Sequence, residues 1–387
     1  MNLLISGVPA IKKGAGLFLL QLEKEVLDKS EVKIIYVNYR MEVGVFFKNS
    51  QFIKATISLI KHIFSRVKIY FLTYSGFIKN PKSVILIHHQ LIGMKLCDRI
   101  IEKRNGNTTL FLLDSGFFCL RSYNHIDGTN EECLACLGGD YSNIKQNDCI
   151  SFPVRDKYSK QFLQNLHGYV HEKIIKFIAQ NLNQENLIRS HFGDDTEVKT
   201  LGIWTADLPE KQDVSSLRRN IITSNFVLFH GAPLSAKGVF YTLDLAKICP
   251  EIEFVFPFQK SRLGAYPTSS NCTFKNMTWD TGLMDCAKKA RIVLAPSLNS
   301  SPIESALVKS LMYCNAVGVV DIETSFSAEI DDRIIIKLSK DPVCAARKLE
   351  DFIHSNLVPD QLILNQWIDH HFESNYRPLC RYLEYNK

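Results

Sequence analysis

The sequence has a rhythm. Short β-prone runs alternate with longer amphipathic stretches, and glycines punctuate the joins. In the first half, residues 2–8 read as a strand, Gly14, Ala15 and Gly16 follow, and residues 17–27 read as a helix. Residues 32–37 read as a strand and 52–64 as a helix, and 67–73, 83–88 and 109–113 read as further strands. The second half repeats the plan, with strands at 226–230, 252–256, 292–295 and 317–320 and helices at 238–248, 282–289 and 303–313. Such alternation predicts an α/β protein whose parallel sheets are covered by helices. Ligands of such sheets bind at the carboxyl ends of the strands.

At 387 residues the chain is too long for one ordinary core. Residues 1–205 are expected to form an N-terminal Rossmann-like domain and 206–365 a second one. A C-terminal helix, 366–387, packs back toward the first. A polar stretch from 204 to 220 is the linker. Two such halves facing each other would enclose a central cleft. The net charge of +6 is spread along the sequence rather than gathered in a stripe. It suits an anionic ligand or an anionic membrane surface and argues against nucleic acid. No run is long and apolar enough to span a bilayer, and the first residues read as a buried strand rather than a signal peptide. Eleven cysteines, an odd number, with no export signal point to a reducing, cytoplasmic setting.

Two segments of the second half carry the chemistry. The first runs Phe229, His230, Gly231, Ala232, Pro233, Leu234, Ser235, Ala236, Lys237, Gly238. It reads as a strand, a glycine turn, and a lysine at a helix start, where free amides and the helix dipole favour phosphate. The bland alternative is a solvated lysine in a loop. The second segment passes from Ala295-Pro296-Ser297 through a polar loop to Ser301, Pro302 and Glu304. Proline in a first helical turn predicts a helix start near Pro302. Glu304 would then either match the helix dipole or accept hydrogen bonds from sugar or ribose hydroxyls.

The order of these parts resembles the C-terminal half of the retaining, family 4-type GT-B glycosyltransferases. The matching elements are Gly231, Lys237-Gly238, Trp279-Asp280 with Gly282-Leu283, and Ala-Pro-Ser before Glu304 and Ala306-Leu307. The family's arginine after the first glycine is Ala232 here. Aligning on Cys314-Asn315 places Pro302 and Ser310 where the family has its paired glutamates, with Glu304 the nearest acid.

The resemblance implies two Rossmann-like domains and a nucleotide-diphosphate sugar as donor. It also implies retention of configuration and no catalytic metal. Lys237, Glu304 and Asp114 become the catalytic candidates, and Gly14, Gly16, Gly231, Gly238 and Ser301, with Lys237 and Glu304, line the donor-phosphate site. Gly14 and Gly16 resemble the family's N-terminal glycine loop, although close helix–strand packing explains them equally. Asp114, after a strand, matches a family Asp, either touching the acceptor or fastening its loop by an Asx turn.

The segment 119–149 carries Cys119, Cys133, Cys136 and Cys149 around a Cys-x-x-Cys knuckle, with His125 a substitute ligand. A structural zinc, an iron–sulfur cluster and thiols without metal are all compatible with that spacing. The expected activity is transfer of a hexose-type sugar to a hydroxyl of a glycan or lipid-linked glycan, as in bacterial surface-polysaccharide (lipopolysaccharide-type) assembly. Peripheral contact with the inner membrane face would accompany it. A nucleotide-sugar epimerase and a degenerate, non-catalytic transferase subunit are the alternatives.

Overall fold

The structure is a computed structural model that describes residues 2–11, 14–26, 31–37, 50–74, 81–204, 224–355 and 357–385. Nearly all of the expected linker, 204–220, lies outside the described residues. The chain divides into two compact units. One comprises Met1–Ser122, Ala135–Asp207 and Asn375–Lys387; the other comprises Tyr123–Leu134 and Leu208–Ser374.

The strands, in chain order, are β1 (Asn2–Ser6), β2 (Val32–Tyr36), β3 (Val84–Ile87), β4 (Thr108–Phe111), β5 (Ile175–Ala179) and β6 (Val198–Thr200) in the first unit. The second unit holds β7 (Val227–Phe229), β8 (Phe254–Phe256), β9 (Cys272–Phe274), β10 (Ile292–Leu294), β11 (Val317–Val320) and β12 (Ile336–Leu338). They form two six-stranded sheets, ordered β2-β1-β3-β4-β5-β6 and β12-β11-β10-β7-β8-β9. Every pairing within both sheets is parallel. β3, β7, β8 and β10 are buried along their whole length. That is why they read as continuous apolar runs rather than alternating ones. Each unit is therefore a doubly wound, Rossmann-like α/β layer, as the rhythm of the sequence predicts.

In the second unit, Val227, Phe229, Phe254, Phe256, Ile292 and Leu294 fill the sheet's core beneath the helices. The buried Arg291 donates through Nη2 to the carbonyls of Phe352, Ser355 and Leu357 and lies over the Phe352 ring. It thereby supplies donors to the carboxyl end of the helix Pro342–His354, whose last carbonyls have no helical partner.

The expected strand at 67–73 is not one. A single helix runs Phe52–Tyr74. Ser65 and Arg66 do not break a helix, so its 3.6-residue repeat continues through Val67 despite the β-prone run that follows. The tail is two helices, Gln361–Asn375 and Pro378–Tyr385. The second packs against the helix Ala15–Val26 of the first unit. Asn375 Oδ1 accepts from the Ile203 amide at 3.0 Å.

Candidate functional site

The strand order of the second sheet reverses between β7 and β10, which pair side by side. At such a switch point the loops leaving two adjacent strands turn in opposite directions and open a crevice at their carboxyl ends. The sequence places its two candidate segments on these two loops.

After β7 the chain passes His230 and Gly231, makes a tight 3₁₀ turn over Ser235–Lys237, and enters the helix Val239–Ile248. Gly238 between them is left-handed, with φ 70° and ψ 23°. A Cβ there would sit 2.0 Å from the Pro296 carbonyl oxygen. Only glycine allows both that conformation and that approach. The Leu298 amide donates to the Ala236 carbonyl at 2.9 Å and joins the loops a second time. The first amides of the helix Val239–Ile248 lack helical acceptors and carry the positive end of its dipole.

Lys237 and Glu304 meet where these two loops adjoin. Lys237 Nζ forms an ion pair with Glu304 Oε1 and donates to Ser301 Oγ at 3.1 Å. Ser297 Oγ donates to the same Glu304 oxygen at 2.8 Å. Both charged side chains are only 15% exposed. The helix expected to begin near Pro302 begins at Ser305, with Glu304 as an extended N-cap, φ −101° and ψ 122°. The Glu304 carboxylate caps nothing; its oxygen is drawn into the pair with Lys237 and Ser297. Ser301 likewise offers no helix-start amide, because its N–H bonds the Asn299 carbonyl. Its contribution is the hydroxyl, which donates to Asn299 Oδ1 and accepts from Lys237.

His230, at the end of β7, is buried. Its Nδ1 lies 2.9 Å from Ser310 Oγ, and that hydroxyl donates to the Ala306 carbonyl. The imidazole therefore donates from Nδ1. Burial, then the neighbouring Lys309 charge, pull its pKa down to about 3. The ring stacks on Trp279, with centroids 5.3 Å apart, and Lys309 Nζ lies 5.0 Å from the centre of the same indole. Ser310, which stands in a glutamate's place by the resemblance, thus serves this internal network.

The sequence reading missed the residues that brace the site. In the tongue Tyr123–Leu134, which belongs to the second unit, three consecutive side chains each hold part of the crevice. The Tyr123 ring lies 5.0 Å from Lys237 Nζ. Asn124 donates to Ser300 Oγ at 2.8 Å and accepts from the Ser300 amide at 3.0 Å. His125 Nε2 bonds Ser235 Oγ at 2.9 Å, and its Nδ1 bonds the Glu131 carbonyl. Further along, Glu132 pairs with Lys340 at 3.0 Å. Tyr-Asn-His is no recognised motif, so only three-dimensional placement reveals it.

The remaining candidates lie in the first unit. Gly14 has φ 51° and open space around its missing Cβ. Gly16 is tight: a Cβ there would come within 2.5 Å of Ile11 Cγ1 and 2.9 Å of the Pro9 carbonyl. Asp114 is buried, and its Oδ1 accepts from Gln90 Nε2 at 2.6 Å and the Gly116 amide at 2.8 Å. That is an Asx turn fastening the loop after β4. In the second unit, Gly231 has no room for a Cβ, which would lie 2.9 Å from Phe229 Cζ.

Of the readings left open for the cysteine segment, a structural metal is not supported. Among the described residues no three His, Cys, Asp or Glu side chains are grouped to hold an ion. All eleven cysteines are among the described residues, and none is in a disulfide. Cys133 belongs to the tongue of the second unit, while Cys119, Cys136 and Cys149 belong to the first. His125 has both ring nitrogens engaged. Ordinary hydrogen bonds fix the first unit's part of the segment instead: the Gly138 amide donates to His191 Nδ1, and Tyr141 Oη meets His191 Nε2 at 3.1 Å. Burial pulls the His191 pKa down to about 3, so it accepts as a neutral ring.

No protein-family model and no curated protein sequence matches the chain. Solved structures do. Sucrose-phosphate synthase from Thermosynechococcus elongatus is 10% identical and superposes with a TM-score of 0.61 over 100% of this chain and 98% of its own. Anabaena Alr3699/HepE, in complex with UDP and glucose, is 12% identical, with a TM-score of 0.56 over 96% and 95%. OtsA in its apo form is 10% identical, with a TM-score of 0.53 over 97% and 96%. The chain has the GT-B fold.

Proposed function

We propose that the protein is a glycosyltransferase that takes its sugar from a nucleotide-diphosphate donor. The observation that carries the reading is the meeting of Lys237 and Glu304 at the switch point between β7 and β10. Of the superposing folds, one is named a sucrose-phosphate synthase and another, HepE, holds UDP and glucose. The nucleoside diphosphate beside a sugar in HepE supports this class of donor.

On this reading the diphosphate enters the crevice at the start of the helix Val239–Ile248. Lys237 turns from Glu304 to the phosphate and stabilises the charge that grows as the glycosidic bond to phosphate breaks. Glu304, released, accepts hydrogen bonds from donor hydroxyls. Asn124 and His125 hold the loops through Ser300 and Ser235. Gly231, Gly238 and Ser301 shape the phosphate pocket, while Gly14, Gly16 and Asp114 set the loops of the first unit that attend the acceptor. The acceptor is a hydroxyl of a glycan or lipid-linked glycan, with surface-polysaccharide assembly at the inner membrane face as the setting. The family resemblance supports retention of configuration and a hexose donor.

The test begins with calorimetric titration of uridine, guanosine, adenosine, cytidine and thymidine diphosphates. One base should bind at micromolar concentration, and Lys237→Ala should weaken it. The matching sugar nucleotides with glycan acceptors then give transfer, and the anomeric configuration of the product is read by NMR. Conversion of the donor to a new sugar nucleotide would identify an epimerase. Tight binding without turnover would identify a donor-binding subunit, a reading favoured by the commitment of Ser310 to His230. Binding of none of the five diphosphates would sink the proposal.

A further inference from the structure

The helix Phe52–Tyr74 of the first unit presents an apolar face to solvent. Ile53 is 78% exposed, Phe64 70% and Ile63 52%, with Ile57, Ile60 and Val67 also exposed. At about 100° per residue these six positions fall in one sector of roughly 120°. Ala55 and Ser58, on the opposite side, are buried and form the face the helix turns toward its own unit. The exposed Lys54 and Lys61 sit at one border of the apolar sector. The sequence of the helix contains Lys54, Lys61, Arg66 and Lys68 and no Asp or Glu.

An apolar face this long is unusual on a soluble surface, where such side chains are scattered singly. A membrane-spanning role does not account for it, since no described helix is long and apolar enough to cross a membrane. A broad apolar stripe bordered by cations, with no carboxylate on the element, is the pattern of a helix lying in the plane of an anionic bilayer. The apolar side chains enter the boundary between headgroups and acyl chains, and the lysines meet lipid phosphates.

We propose that the helix Phe52–Tyr74 is a membrane-docking element that seats the protein on anionic lipid. The docking requires neither a sugar donor nor turnover, so it stands or falls apart from the transferase reading. It would place the first unit at a surface where lipid-linked acceptors reside.

The test is co-sedimentation of the full chain, without nucleotide, with vesicles of phosphatidylcholine alone or with a third phosphatidylglycerol. The protein should pellet with the anionic vesicles at least about tenfold more strongly than with the neutral ones, and raised salt should weaken it. Ile53→Glu/Ile60→Glu/Phe64→Glu should cut the partitioning at least about tenfold and leave the melting temperature within a few degrees, because these side chains are exposed. A conservative Phe64→Trp protein gives an independent readout: its added emission should shift to the blue and be quenched by brominated lipid when anionic vesicles are added. The proposal is overturned if the wild-type protein stays in solution with both vesicle types, or if the emission added by Phe64→Trp is unchanged. It is equally overturned if sedimentation velocity finds a dimer that the triple substitution dissociates, since the stripe would then be a self-association face.

Discussion

Lys237 and Glu304, 67 positions apart in sequence, are ion-paired across the two loops that leave β7 and β10. In this state each neutralises the other, and Ser297 and Ser301 complete the ring of hydrogen bonds around them. Under the proposed function, a donor phosphate would therefore compete with a carboxylate already in place. Lys237→Ala should weaken nucleoside diphosphate binding about 10- to 100-fold, the scale of one charge-assisted hydrogen bond. Glu304→Gln should act in the opposite sense on the diphosphate alone, leaving its affinity unchanged or raised because the lysine is released. The same variant should lose most sugar transfer. Calorimetry on both variants reads the difference, and parallel losses of diphosphate affinity would refute the exchange.

Asn124 bonds Ser300 through both its amide groups while fully buried. Replacing it by alanine removes an acceptor from the buried Ser300 amide and a donor from its hydroxyl, which keeps Thr324 Oγ1 at 2.5 Å, at a cost of about 1–3 kcal/mol. The Asn124→Ala protein should melt several degrees lower and bind its diphosphate more weakly, because the loop carrying Ser301 and Glu304 loses its brace. Thermal melts with and without saturating nucleotide separate the effects. An unchanged affinity would make the tongue purely structural.

Much of this architecture was legible beforehand, for a physical reason. Parallel strands buried on both faces leave continuous apolar runs, and Val227, Phe254 and Ile292 all begin such runs. The pairing of Lys237 with Glu304 was half legible. The glycine turn and the Ala-Pro-Ser loop announced two strand ends, but which strands neighbour each other is a property of topology. The helix start was misplaced by three residues because Pro302 favours a first turn that the bond from Phe326 N to the Ser301 carbonyl draws out of shape. The tongue was invisible, since Tyr123, Asn124 and His125 act on residues more than a hundred positions away in sequence. Of the readings left open for the cysteines, a metal finds no support among the described residues, because cysteine spacing along the chain says nothing of where the thiols point.

With no grouped ligands among the described residues, prolonged chelation should leave the melting temperature unchanged. Protein unfolded without reductant should titrate eleven thiols against an aromatic disulfide reagent. A drop of several degrees on chelation, or fewer thiols, would reinstate a cross-link in the 119–149 segment.

Gly238 tests the junction of the two loops directly. Its left-handed backbone and its approach to the Pro296 carbonyl leave no place for a methyl group. Left-handed strain alone costs a non-glycine residue about 1 kcal/mol, and backbone displacement adds to it. Gly238→Ala should lower stability by about 2–4 kcal/mol and push the β10 loop away from Lys237. Diphosphate binding should fall with it, even at temperatures where the protein remains folded. A fully active Gly238→Ala protein would mean that the loops are not held together at this point.

Four buried histidines set the response to acid. Burial is the leading cause in each: His89 and His371 are drawn down to about 4, and His191 and His230 to about 3. Their ordinary value is 6.5. The unfolded chain therefore takes up these protons as the pH falls through about 6.5, while the folded protein does not until near 4 or below. Over that window the unfolded state binds more protons, so stability rises with pH and levels off above about 7. Each fully developed site contributes a slope of about 1.4 kcal/mol per pH unit. The melting temperature should be flat from about pH 8 to 7 and fall steeply between about 6.5 and 5. His230→Asn keeps a donor for Ser310 but removes a titrating ring. Its slope in that window should be shallower by about one proton, even if the protein is less stable throughout. A melting temperature that does not move between about pH 7.5 and 5 would mean that these rings are reached by water in the folded state.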